Sequence, residues 1–306
     1  MGRSKKFKVL VVLGTLVVVA IVTGLVVLRV TGHREPFPET QPVVRDISVV
    51  EDRITNAVAI SEQLTLTAIG EVVYGEYKAP VWAVSFTPSE EPKYKVLLTG
   101  GVHGEEPAGV EIMVQMIETL AENPQKYENM YFDIVPIVNP WGWSHDIRFD
   151  RDGIDVNRDF ASFTSREAMI MREFTAGKKY DLIVDHHEYA DGTGFFMYQL
   201  ANPSQSVSRK VIKAVRDQGY PIEQDARMII LKTEDGLIDA PIWTLWFVRL
   251  VNRLSMTNYF RLNSNDLVYL METSTSLSWE SRLTIHKIAV DVLLNSLSSD
   301  FAQGRC

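Results

Sequence analysis

Apolar and polar positions change their period repeatedly along this chain, and each change predicts an element. From 63 to 87 they alternate, with breaks at Gly70, Gly75 and Pro80, which predicts two antiparallel strands at a sheet edge. The run 93–101 is continuously apolar at its centre and reads as a buried strand. The stretch 107–123 places Val110, Met113, Val114 and Ile117 on one helical face. Further strands are predicted at 131–140, at "YDLIVDHHE", near 195–198 and at "DLVYLMET". Helices are predicted over 165–177, 204–218 and 279–298, and an irregular stretch runs to Phe163. The apolar segment 240–254 is interrupted by Arg249 and Arg253 and is too short to span a bilayer, so it reads as a half-buried helix. Strands alternating with helices give an α/β fold with a mixed, mostly parallel central sheet flanked by helices. No internal repeat or low-complexity tract appears.

One segment stands apart from this order. Residues 9–28 carry no charge over a length that matches a hydrocarbon layer of roughly 30 Å. Arg3, Lys5, Lys6 and Lys8 precede the segment, whereas Arg29 and Arg34 beyond it are mixed with Glu35 and Glu39. That bias predicts a single-pass anchor with a cytoplasmic N-terminus and an extracytoplasmic body. A cleaved signal peptide would have a shorter apolar core ending in small residues, unlike "VVLRVTGHRE". The expected organisation is a cytoplasmic tail 1–8, a transmembrane anchor 9–28, a linker 29–50 and one hydrolase domain 51–306.

Charge and cysteine content narrow the chemistry. A formal charge of −8 with no basic run in the body argues against nucleic acid as a partner. The only cysteine is Cys306, so neither an intramolecular disulfide nor a cysteine-based metal cluster can form. A transition metal would have to be held by His and carboxylate. "GGVHGEEPAG" offers His103 and Glu106 after a strand that ends in two glycines, and "DLIVDHHEYA" offers a histidine at a strand end. By the period of two, Asp185 and His187 point together while His186 turns away, so His187 is the better third ligand. Three protein ligands leave a position for water on a zinc ion, which is the arrangement of a hydrolase.

The segment "NPWGWSHDIRFDRDGIDVNRDF" follows HxxE, and a strand-end histidine and then a glutamate on a late strand come after it. In this order the blocks resemble the zinc metallocarboxypeptidase family over about residues 63–298. The resemblance implies one zinc ion per chain held by His103, Glu106 and His187, with Glu272 as catalytic base. It further implies Asp155 as acceptor for His103, Arg148 at the developing oxyanion, and Asn157 with Arg158 at the free carboxylate of the substrate. A planar guanidinium can grip a carboxylate through two parallel hydrogen bonds. Asp150 stands where the family usually has asparagine, Glu105 where many peptidases have arginine, and "DHHE" replaces the commoner His-Ser ending. These departures lean toward the branches of deacylases and cell-wall peptide amidases.

The function implied is that of a membrane-anchored zinc carboxypeptidase or related amidase acting on a peptide with a free carboxylate. The alternative within enzymes is an N-acyl amino acid deacylase resembling aspartoacylase and succinylglutamate desuccinylase. A tethered, non-catalytic binding protein on the same fold is the rival from another class, and a lost ligand or base would mark it. Tyr259 could close over substrate, but beside an aromatic-rich segment it reads first as core.

Overall fold

The computed structural model describes residues 13–24, 27, 41–228, 231–263 and 267–301. Its centre is an eight-stranded mixed sheet. The strands are β1 Leu64–Tyr74, β2 Tyr77–Phe86, β3 Tyr94–Thr99, β4 Met130–Val135, β5 Leu182–Tyr189, β6 Phe195–Leu200, β9 Leu237–Ala240 and β10 Leu267–Ser274. They lie in the order β1-β2-β4-β3-β5-β10-β6-β9, and a separate two-stranded ribbon joins β7 Arg227–Met228 to β8 Leu231–Lys232. β4, β3, β5 and β10 run parallel in sequence, while β1, β2 and β6 enter antiparallel. The alternation at 63–87 becomes the β1–β2 hairpin at one edge of the sheet.

The central strands are buried on both faces, so their sequences read as apolar runs rather than alternating ones. Val96, Leu98, Leu182, Val184, Tyr269 and Met271 point to one face, against helices Pro107–Glu122, Ser206–Asp217 and Trp279–Phe301. Leu97, Ile183 and Val268 point to the other, against helix Arg166–Thr175, Phe160 and Phe260. Each such buried aliphatic side chain contributes about 1.5–3 kcal/mol of transfer free energy. β5 carries this alternation to its end, so Asp185 and His187 lie on the face of Ile183 and His186 on the opposite one. β10 is in parallel register with β5 and sets Glu272 directly beside His187.

Three sequence expectations are corrected. The folded body starts before residue 51: helix Ile47–Ala59 packs Val50, Ile54 and Ala57 into the core, and its N-cap Asp46 accepts a hydrogen bond from the Ser48 amide. Residues 46–50 therefore belong to the domain rather than to a linker. Residues 240–254 are not one helix, because β9 ends at Ala240 and Pro241 follows it. A short helix Thr244–Leu250 buries Leu245 and Val248, and Asn252 turns the chain at a φ of 56°. Trp243 and Trp246 stay exposed. The stretch before Phe163 holds a one-turn helix at Pro140–His145 and a 3-10 turn at Val156–Arg158.

Part of the expected anchor at 9–28 lies outside the described residues. Within it, residues 13–24 and 27 are helical, with Leu13, Val18 and Ile21 more than half exposed. Among the described residues no helix is long and apolar enough to cross a membrane.

Candidate metal centre

Three loops meet at the C-terminal ends of β3, β5 and β10. After β3 the chain turns through Gly101 at a φ of 62°, which glycine tolerates without strain. It then delivers His103 and, at the N-cap of helix Pro107–Glu122, Glu106. Gly104 between them lies so close to Gly142 that an added Cβ would sit 1.9 Å from the Gly142 carbonyl carbon. The Asn-Pro-x-Gly block builds that seat: Asn139 Oδ1 accepts from the Gly142 amide at 2.9 Å, Pro140 opens the turn, and Gly142 leaves room for the ligand loop. The Gly104 amide donates to Ile147 O at 3.0 Å, and Arg45 donates to Gly104 O at 2.8 Å.

His103, Glu106 and His187 converge, all buried, with one donor atom from each within 4.8 Å of the others. Glu106 lies between the rings, with Oε1 2.6 Å from His103 Nδ1 and Oε2 2.7 Å from His187 Nδ1. Burial alone would raise the Glu106 pKa, but the two imidazoles outweigh it and hold the carboxyl well below its usual range. Burial would likewise depress His187, yet Asp185 and Glu106 pull it well above an ordinary histidine. Such a nest of negative potential around two imidazole nitrogens and a carboxylate suits a divalent cation, which would take the place of the protons. The donor set of nitrogen and oxygen, without sulfur, fits zinc.

Each histidine has a carboxylate behind it. His187 Nε2 lies 3.1 Å from Asp185 Oδ2, and Asp185 is fixed by the Thr99 and Thr257 hydroxyls. His103 Nε2 lies 3.3 Å from Asp155 Oδ1, near enough for charge pairing but outside hydrogen-bond geometry. Arg148 Nε donates to Asp155 Oδ2 at 3.0 Å, and its NH1 reaches to 3.6 Å from both Glu105 and Glu106. Burial, the first influence on Asp155, would raise its pKa, but His103 and Arg148 hold it far below the usual carboxylate range.

Glu272 is buried beside His187, and its Oε2 has no hydrogen-bond partner among the described residues. Burial and the nearby Glu106 charge push its pKa up to about 7 against the pull of the His187 and His103 cations. Asn157 is buried behind His187, with Nδ2 3.4 Å from His187 Nε2 and Oδ1 accepting from the Met256 amide. Arg158 is half-buried and, among the described residues, donates only to Asn157 O. The aspartates around it are engaged elsewhere: Asp146 with Arg45, Asp150 with Tyr74, Asp152 with Arg166, and Asp159 with the amides and hydroxyls of Thr164 and Ser165.

The departures noted in the sequence acquire structural reasons. Glu188, the last residue of "DHHE", accepts from the Ala108 amide at 2.7 Å and pairs with Arg282, so it holds the start of the helix that follows Glu106. His186, on the opposite face, sets its Nδ1 3.0 Å from Thr99 O and packs on His286; burial lowers its pKa to about 4 and keeps it neutral. Tyr259 packs among Phe160, Phe163 and Phe260, in an aromatic cluster. Sequence reasoning assigned no role to Asp185, although the period of two had set it on the face of His187. Arg45, tied to Gly104 from 59 residues away, left no signal at all.

With this geometry in view, likeness to known proteins is informative. Residues 92–228 match the family described as the succinylglutamate desuccinylase/aspartoacylase catalytic domain. Among curated relatives, carboxypeptidase SOL1 of Arabidopsis thaliana is 34% identical over 107 residues, which cover 31% of this chain and 21% of that protein. Carboxypeptidase 2 of Trichophyton tonsurans is 33% identical over 108 residues, covering 34% of this chain and 20% of the relative. The chain thus spans about a fifth of the length of these relatives. Among solved structures, a candidate metallopeptidase from Shewanella denitrificans aligns with a TM-score of 0.66 at 21% identity, covering 85% of this chain and 96% of that one. A metallo-carboxypeptidase from Burkholderia cenocepacia aligns with a TM-score of 0.64 at 16% identity, over 83% of this chain and 70% of the other. A succinylglutamate desuccinylase/aspartoacylase from Rhodobacter sphaeroides gives 0.51 at 16% identity, over 75% and 63%. At such identities these structures speak for the fold.

Proposed function

We propose that this chain, whose residues 92–228 match the succinylglutamate desuccinylase/aspartoacylase catalytic domain and whose fold is carboxypeptidase-like, is a membrane-tethered zinc hydrolase that cleaves an amide bond next to a free carboxylate. The reading rests on one observation above the rest: a buried carboxyl, Glu272, whose Oε2 has no hydrogen-bond partner among the described residues, lies in register beside a member of a three-donor cluster suited to a metal.

His103, Glu106 and His187 would hold one zinc ion per chain, which when bound supplies a Lewis acid and brings the pKa of water down toward about 7. Glu272 takes the proton of the attacking water and later delivers it to the leaving amine, a task suited to a pKa near neutrality. Arg148, oriented by Asp155, donates to the oxygen on which negative charge develops. Asp155 and Asp185 fix the ring orientations of the two histidines. Arg158, which has no ion-pair partner among the described residues, binds the substrate carboxylate, and Asn157 secures the turn that carries it.

The tether is the uncharged segment 9–28, whose described residues are helical and expose apolar side chains. The substrate is a peptide or an acyl amino acid, met outside the cytoplasm. The test is a panel of peptides and N-acyl amino acids offered to the zinc-loaded full chain and to Glu272→Gln. Loss of turnover by about 10²- to 10⁴-fold with zinc retained is expected for the variant. Release of C-terminal amino acids marks a carboxypeptidase, and cleavage confined to acyl amino acids marks a deacylase. Full activity in Glu272→Gln overturns the reading.

A further inference from the structure

The turn that carries His103 and Glu106 is held by a residue far outside it. Residues 103–106 form a single turn, closed by the Glu106 amide, which donates to His103 O at 3.4 Å, with Gly104 and Glu105 at its centre. The central peptide of such a turn points in opposite directions in the two common turn types, and glycine has no Cβ to favour either. Here the Gly104 carbonyl accepts from Arg45 NH1 at 2.8 Å, and the Gly104 amide donates to Ile147 O at 3.0 Å. Both peptides that flank Gly104 are thus gripped from elsewhere in the chain. His103 stands on one side of the gripped carbonyl and Glu106 on the other.

Arg45 reaches that carbonyl as part of a clamp. Its NH1 also donates to Trp143 O at 2.9 Å, its NH2 pairs with Asp146, and its guanidinium lies 5.5 Å from the centre of the Trp143 ring. The amides of Val44 and Arg45 donate to Ser144 O at 2.8 and 3.0 Å, which fixes the backbone from which the side chain springs. One planar group therefore ties the ligand turn to helix Pro140–His145 and to Asp146, two residues before Arg148. A lysine has no rigid fork with which to meet three acceptors in fixed directions. The side chain is only 21% exposed, so these charge-assisted bonds are partly shielded from water.

On the premise of the metal-dependent function above, we propose that Arg45 is a positioning residue of the metal centre: from the stretch that leads out of segment 9–28 into the body, it fixes the Gly104 peptide and so sets His103 and Glu106 at the spacing a divalent cation requires. It acts through the backbone of the ligand turn. The metal-binding unit then starts at Val44, ahead of helix Ile47–Ala59, and links the tether side of the chain to the site.

Two measurements on the full chain test this: zinc affinity by competition with a chromophoric chelator, and the visible spectrum of the cobalt-loaded protein, which reports ligand geometry. Arg45→Met keeps the apolar stem and removes the donors. It is expected to lower zinc affinity by at least about tenfold, as for lost outer partners of metal ligands, and to change the cobalt spectrum. Arg45→Lys should recover part of the affinity. Arg53→Met is the control, because Arg53 pairs with Glu111 at 2.7 Å and Glu118 at 2.8 Å and ties helix Ile47–Ala59 to helix Pro107–Glu122 without bonding the ligand turn. Its zinc affinity and cobalt spectrum should stay unchanged even where its urea midpoint falls. Zinc affinity in Arg45→Met within about twofold of the unmodified chain, or an equal loss in Arg53→Met, overturns the proposal. Absence of amide hydrolysis by the zinc-loaded unmodified chain would instead defeat the hydrolase function and leave the positioning of the metal centre standing.

Discussion

Replacing Gly104 with alanine puts a methyl group where the structure has no room for one. An ideal Cβ there lies 1.9 Å from the Gly142 carbonyl carbon, 2.1 Å from its oxygen and 2.4 Å from Ile147 O. All three atoms are backbone, and they are fixed by the Gly142 bond to Asn139 and the Ile147 amide bond to Gly142 O. Restoring an ordinary contact of 3.4 Å requires the two loops to part by about 1.5 Å. His103 precedes Gly104 and Glu106 lies two residues beyond it, so both donors move with the loop. Metal ligands must be held to within about 0.5 Å of productive geometry. Zinc affinity is therefore expected to fall by at least about 100-fold, or about 2.8 kcal/mol. Overpacking should also cost the metal-free protein about 1–3 kcal/mol. Competition against a chromophoric chelator measures the first effect and urea denaturation the second. Gly177→Ala is the control: its Cβ would meet nothing within 4 Å although its φ is +72°, so it should lower stability and leave zinc affinity alone. Unchanged zinc affinity in Gly104→Ala would refute the account of how this loop is seated.

Two further outcomes follow from buried carboxylates. Asp155→Asn removes the charge that pairs with His103 and orients Arg148, so zinc affinity should drop about 10- to 100-fold in the same chelator competition; a change under twofold would deny Asp155 that part. Glu167 is buried against Asp150, and both bond the Tyr74 hydroxyl; burial first, then the Asp150 charge, raises the Glu167 pKa. An acid raised in the folded state holds more protons there than in the unfolded chain, so its contribution is complete below the ordinary carboxyl range and is lost as pH rises through the folded pKa. Urea midpoints should therefore decline from about pH 5 to about pH 8.5, and Glu167→Gln should flatten that decline. An equal slope in both proteins would contradict the assignment.

What the sequence revealed follows the range of the interactions involved. His187 and His186 could be told apart from a period of two, because strand geometry is local, and the same rule set Asp185 beside His187. The strands β3, β5 and β10 were legible because burial on both faces leaves an apolar run. Residues 240–254 misled because apolar content alone does not reveal a break; Pro241 and the left-handed Asn252 divide the segment. Helix Ile47–Ala59 escaped notice because it follows the uncharged segment and the Pro-bearing stretch, and its small buried stripe of Val50, Ile54 and Ala57 is weak. Arg45 was invisible as a site residue for another reason: what matters about it is a bond to Gly104, 59 residues away in sequence. Asp159 is occupied by hydroxyl and amide bonds and not by Arg158, which the run of neighbouring aspartates had obscured.

The central claim is that His103, Glu106 and His187 share one zinc ion, and anomalous diffraction at the zinc absorption edge tests it most directly. Crystals of the zinc-loaded protein should give a single strong peak at about 2.0–2.2 Å from a nitrogen of each histidine and an oxygen of Glu106. A peak bound elsewhere on the chain, or none at these three residues with zinc in excess, would contradict the account.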